Sequence, residues 1–201
     1  MLFRSIRSIP DLKGKTVGIN GFSTSGHLWL DAALGRHGLS DTDVTIAPIP
    51  FSAMQEALAS GKIDVGEFPQ PFAALLENQA AVTRIFDAKY GLPFDEELDV
   101  LIGKDAFLKN NSAAVRALLE DLKEAMRFYL DKPREARQLL IDAKMVRVTP
   151  AVYLGMRDYY RDPTLRPDTD ALVRMQEFQL KAGFQKNSVD IRSLVDASYL
   201  P

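Results

Sequence analysis

Short apolar runs alternate with helical patterns through the first half of the chain, and this alternation limits the fold more than any other feature. Thr16–Asn20, Val44–Ile49, Ile63–Phe68 and Val82–Asp87 read as strands. Ser25–His37, Ser52–Ser60 and Pro71–Gln79 read as the helices between them. Gly38 and Gly61 stand where a helix stops, and Pro71 where one starts. Strands separated by helices run parallel, so the pattern predicts an α/β fold of βαβ units. Ligands of such sheets bind beyond the carboxyl ends of the strands. Those ends are Asn20–Ser25, Pro48–Phe51 and Glu67–Gln70.

The first of them is a Gly/Ser/Thr turn, Gly21–Gly26, that opens a helix. Such a turn aims backbone N–H groups and small hydroxyls at one point, which suits an anion held at a helix N-terminus. No Lys follows the glycines as G-x-x-x-x-G-K-[ST] requires, and Gly21 and Gly26 do not make G-x-G-x-x-G. A nucleotide site is disfavoured. A small anion or a purely structural turn remains.

Ala88–Glu97 breaks the alternation with Gly, Pro and acids and reads as a connection. Leu98–Gly103 reads as one more strand, crossing out of the first unit. Beyond it the chain is helical. Val115, Leu118, Leu119, Leu122, Met126 and Tyr129 recur at helical spacing, with Asn111 or Ser112 as the cap. Pro133 starts a second helix, and Thr149-Pro150 a third that carries Val152, Tyr153, Met156 and Tyr160. Asp168 or Thr169 caps a fourth, ended by Gly183. The stripe Tyr153, Met156, Tyr159, Tyr160 reads as a packing face.

Composition excludes several chemistries. The net charge is −2 and no basic run exists, so no nucleic-acid partner is expected. With no cysteine there is no disulfide, Cys-ligated zinc or thiol nucleophile. No metal spacing and no paired-carboxylate motif occurs, and with two histidines few acid–base sets exist. Neither a catalytic residue, a metal nor a cofactor is expected. No apolar run approaches the roughly 18 residues that span a bilayer, so no membrane insertion is expected. The start, MLFRSIRSIPD, carries arginines without the apolar core of a signal peptide.

The order SIPDLKGKTVGI, GFSTSGH, a helix ending in HGL, SDTDVTIAPIP and ALASGKIDVGEFPQPF resembles one family closely. So do FLKNNSAAVRALLEDLKEAMRFYLDKPREARQLL and the closing VDIRSLVDASYL. The chain looks like the substrate-binding proteins of ABC importers for nitrate, sulfonate, taurine and related compounds, the group also called NMT1/THI5-like. The resemblance implies a type II periplasmic-binding-protein fold, a two-lobed clamshell that traps a small molecule. Residues 1–95 would form the second lobe, a complete βαβ unit. Residues 96–201 would be the helical return to the first lobe. The family's opening βαβαβ and export signal have no counterpart here, so a truncated chain with exposed apolar surface is expected. Location is periplasmic by resemblance, and cytoplasmic if the short form is the natural one.

The resemblance also assigns residues. Ser23, Thr24 and Ser25, with Gly21 and Phe22, would cradle the anionic head of a ligand (a sulfonate, a carboxylate or a nitrate-like ion); otherwise they cap a helix. His27 would donate to that anion or merely pack, and Trp29 reads as core. Phe51 and Phe94 would stack on a ligand or fix a loop. Glu67, Phe68 and Gln70 follow the third strand, where relatives often read Trp-Glu-Pro. Gln70 in Pro69-Gln70-Pro71 removes that acid, and Glu67 compensates or faces solvent. Asp64 reads as structural. The implied function is non-enzymatic solute capture for an ABC permease. An enzyme on the same fold acting on a small carboxylate, or a cytoplasmic effector-sensing domain, are the alternatives.

Overall fold

The computed structural model describes residues 6–76 and 82–201. It divides into two compact units: one runs to Glu96 and takes in Phe178–Lys186, and the other holds Glu97–Glu177 and Asn187–Pro201.

In the first unit β1 (Thr16–Ile19), β2 (Thr45–Pro48) and β3 (Val65–Gly66) form a parallel sheet in the order β2-β1-β3. Thr16 pairs with Thr45 and Ile19 with Pro48, while Val17 pairs with Val65 and Gly18 with Gly66. Helix α1 (Ser25–Gly35) joins β1 to β2, and α2 (Phe51–Ala59) joins β2 to β3. Alternation along β1 sends Val17 and Ile19 to one face, where they pack with Leu30, Ala33 and Leu34 of α1 and with Ile9 and Leu12. Gly18 points to the opposite face. There a Cβ would fall 2.6 Å from the Met54 sulfur and 2.7 Å from Ile63. The missing side chain lets α2 lie close on the sheet, and Met54, Ala57, Ile63 and Ile49 form the second core cluster. Both helices end ahead of glycines at positive φ, Gly38 and Gly61, as the sequence predicts.

Beyond β3 come α3 (Phe72–Leu76) and α4 (Ala88–Gly91). The predicted end of α3 at Gln79, like the opening residues Met1–Ser5, lies outside the described residues. Val82–Asp87 is not a strand. Its Ile85 and Phe86 pack on the first core cluster, but β3 pairs over two residues only and offers no ladder to extend. Helix α4 settles on the end of α1, where the Arg36 guanidinium lies 5.4 Å from the Tyr90 ring centroid and His37 Nε2 is 2.7 Å from the Tyr90 hydroxyl.

The second unit contains α5 (Asp105–Asn110), α6 (Ser112–Asp131), α7 (Pro133–Asp142), α8 (Pro150–Gly155), the greater part of α9 (Thr169–Lys181) and α10 (Ile191–Leu194). Asn111 precedes α6 as predicted, yet its amide donates back to the Phe107 carbonyl and does not cap the helix. Leu98–Gly103 is not a strand, because the second unit has none among its described residues to pair with it. Leu101 and Ile102 are 74% and 91% exposed. The third predicted helix stops at Gly155, so Tyr153, Met156, Tyr159 and Tyr160 do not share a packing face: Met156 is buried while Tyr160 is exposed. The buried Arg137 guanidinium ends that helix by donating to the carbonyls of Tyr153, Leu154 and Met156.

Candidate functional site

Parallel pairing puts the ends of β1, β2 and β3 on one edge of the sheet, so Gly21–His27, Phe51 and Glu67–Gln70 leave the sheet on the same side. The turn after β1 is locked by its own hydroxyl. Thr24 Oγ1 donates to the Gly21 carbonyl at 2.8 Å and accepts from the His27 N–H at 3.4 Å. Ser23 holds φ +59, an uncommon conformation for a residue with a side chain. The N–H groups of Ser25 and Gly26, in the first turn of α1, have no acceptor within the helix.

His27 is buried, and both ring nitrogens are engaged. Nδ1 accepts from the Ser23 N–H at 3.2 Å, which requires it to be unprotonated and puts the ring proton on Nε2. That proton points to Asp41, 2.9 Å away. The ring meets Phe22 and Phe184 edge-on, at centroid distances of 5.4 and 4.8 Å. His27 therefore props the turn from behind. Asp31, one helical turn on, has its carboxyl pKa raised by burial and by the Asp41 charge, against a lowering by His27.

Glu67 reaches across from the end of β3. Its Oε2 accepts the Asn20 N–H at 3.0 Å, and a Cβ built on Gly26 would fall on its carboxyl group. A carboxylate thus lies against the first turn of α1, where the helix dipole favours negative charge. Burial pushes its pKa up, against a lowering by the Asn20 N–H. Phe22 is 58% exposed beside the turn. Phe51 lies 6.1 Å from the Phe72 ring, and Phe68 packs on the second core cluster. Gln70 is half-buried and precedes a cis peptide bond to Pro71. Elsewhere in the unit Phe94 meets Phe178 edge-on at 6.1 Å, and the half-buried Trp29 donates its indole N–H to Glu96 at 2.9 Å. Asp64 accepts the Thr16 N–H at the far edge of the sheet, away from the turn.

Asp41 and Phe184, which fix His27, and the Asn20 N–H, which holds Glu67, were invisible in the sequence. Asp41 sits in a short turn ahead of β2, in which Ser40 and Asp43 cap each other. Phe184 comes back to the first unit from the far end of the chain. Among the described residues no helix is long and apolar enough to cross a membrane, and no cluster of His, Asp and Glu could hold a metal ion.

The sequence profile of the NMT1/THI5-like family matches residues 4–136. A Brucella abortus protein named as a binding protein is 27% identical over 146 residues, a stretch that takes in 72% of this chain and 45% of the relative. A Brucella suis protein matches to the same extent. Among solved structures, the alkanesulfonate-binding protein SsuA of Xanthomonas axonopodis pv. citri, bound to MOPS, superposes with a TM-score of 0.69 at 18% identity. The match covers 96% of this chain and 66% of that one. The periplasmic aliphatic sulphonate-binding protein SsuA of Escherichia coli gives 0.69 at 20% identity, covering 95% and 61%. The chain thus spans under half of these relatives' length and under two thirds of the E. coli protein's, and it shares the α/β fold of periplasmic binding proteins. Since the profile covers most of its residues, this chain belongs to the NMT1/THI5-like family.

Proposed function

We propose that the chain is the solute-binding component of an ABC importer and captures a small sulfonate, carboxylate or nitrate-like anion at the carboxyl edge of its sheet. The observation that carries this reading is the turn after β1, held by Thr24 and His27 at the start of α1, where the Ser25 and Gly26 N–H groups have no acceptor within the helix. Gly21, Phe22, Ser23, Thr24 and Ser25 form the cradle, with His27 behind it. Phe51, Glu67, Phe68 and Gln70 form the rest of the binding edge. The names of the relatives support the reading: two solved neighbours are sulfonate-binding proteins, and one relative is named as a binding protein. On this reading residues 1–95 form the second lobe of a clamshell, the partner is a permease, the location is the periplasm, and capture involves no covalent chemistry. An enzymatic role would need a free acid or base at the edge: both nitrogens of His27 are engaged, which leaves Glu67 as the candidate among the described residues.

Titration calorimetry against a panel of small sulfonates, carboxylates and nitrate, with and without amino groups, tests the proposal. One-to-one binding of at least one compound is expected. Ser25→Ala should weaken it about tenfold, roughly the worth of one hydrogen bond to a charged group. Binding by no compound, or an affinity indifferent to Ser25→Ala and Thr24→Val alike, would remove the cradle from the account.

A further inference from the structure

The second unit has a cavity of its own. It opens between the end of α6, the start of α7 and α8, holds about 750 Å³, and is lined only by residues of that unit. Sites for small molecules run to roughly 300–1,000 Å³. Leu130, Leu154 and Met156 give the cavity aliphatic walls, and Tyr129 and Tyr159 give it two aromatic rings. Leu130 and Tyr159 are 40% and 45% exposed, so apolar wall is left in water.

The charges on the wall do not cancel. Two guanidiniums, Arg134 and Arg137, stand against one carboxylate, Asp158. That carboxylate is taken up within the unit, where it accepts from Arg137, Arg161, Tyr129 and the Tyr159 N–H. The Arg137 side chain is buried, and it donates to the Tyr129 hydroxyl, to the carbonyls of Tyr153, Leu154 and Met156, and to Asp158. A guanidinium has five N–H bonds, and the second one on Nη2 has no acceptor among the described residues. Arg134 is exposed, and the acid beside it, Glu135, pairs with Lys132 instead. Guanidiniums suit a carboxylate, and ring-bearing walls suit a flat apolar body. We infer that this cavity is a second binding site, which takes an aromatic carboxylate: the ring lies among Tyr129, Tyr159, Leu154 and Met156, and the carboxylate meets Arg134 and the remaining Nη2–H of Arg137. The site is separate from the carboxyl edge of the sheet and does not depend on what that edge captures.

The probe is 2-naphthoate, with 2-naphthylmethanol as its uncharged counterpart, each titrated into the native chain with isotope-labelled methionine methyl groups. The carboxylate should bind about tenfold tighter than the alcohol, the worth of one hydrogen bond between charged groups. It should also shift the methyl resonance of Met156, in the cavity wall, and leave that of Met54, in the core of the first unit, where it is. Arg134→Gln, at an exposed position, should bring the two affinities together. Ala151→Trp, which fills the cavity from an exposed position on α8, should weaken both probes. Equal affinities in the native chain, or a Met156 methyl that does not move, overturn the site. Binding that Ser25→Ala weakens and Arg134→Gln does not would put the naphthoate at the sheet edge and overturn it as well. No binding of naphthoate at millimolar concentration overturns the second site and leaves capture at the edge standing.

Discussion

A methyl group on Gly26 would land on the Glu67 carboxyl group, so Gly26→Ala measures how firmly that acid is held. Overpacking of this kind costs about 1–3 kcal/mol. Denaturant unfolding should show a loss of that size, and Glu67→Ala in the same chain should recover most of it. A fully additive double mutant would mean that the two residues do not touch. The turn itself was legible, since Ser, Thr and Gly ahead of an amphipathic run announce a helix start from local chemistry alone. The role of His27 was not. One of its partners is a backbone N–H four residues back, and another is Asp41, fourteen residues on. Only the folded chain brings them together. His27→Leu should leave the Asp41 carboxyl without that partner, and it should lower stability by about 1–3 kcal/mol while loosening the turn. Amide hydrogen exchange at Ser23 would report the loosening directly.

Among the elements, α7 and α8 are tied by one guanidinium. Arg137 donates to Tyr129, to three carbonyls at the end of α8 and to Asp158. Arg137→Leu strips those carbonyls of their donor and should cost about 3 kcal/mol. Arg137→Lys should recover only part, because an ammonium cannot reproduce the planar fork. Burial works against the ionisation of Asp158, but hydrogen bonds from Arg161, Tyr129 and Arg137 outweigh it and hold its pKa below the usual 3.8. A carboxyl with a depressed folded pKa adds stability above its unfolded value, and that stability is lost as the pH falls through the folded one. The gap in stability between the native chain and Asp158→Asn should therefore be full at neutral pH and shrink below about pH 4. A gap that stays constant into acid would show that the carboxylate charge contributes nothing. The sequence anticipated β1, β2, β3, α1 and α2, where strand and helix alternate, but it overread Val82–Asp87 and Leu98–Gly103. An apolar run becomes a strand only when an edge is available to pair with it.

For the whole molecule, apolar burial is uneven. The first unit buries two clusters around its sheet, whereas in the second only Ala136, Met156 and Ala171 are buried apolar residues among those described. Leu101, Ile102, Phe107, Leu139, Met145 and Leu194 are more than half exposed. Apolar surface on that scale promotes association. Sedimentation velocity should show concentration-dependent self-association, and Leu101→Lys with Ile102→Lys should reduce it. A native chain that stays monomeric across the accessible range would contradict this. Family and fold were legible because turn chemistry and element order are both local to the sequence. The identity of the ligand was not, since a cradle of backbone N–H groups and hydroxyls suits many anions.

The polypeptide passes from one unit to the other at Glu96, goes back at Phe178 and leaves again at Lys186. A gene cut after Glu96 would look like a clean excision on paper. The shortened product would forfeit Phe184, which covers His27, and Phe178, which meets Phe94. Anyone wishing to study the binding edge in isolation would have to graft the Phe178–Lys186 strip back on, through an artificial tether or as a synthetic peptide.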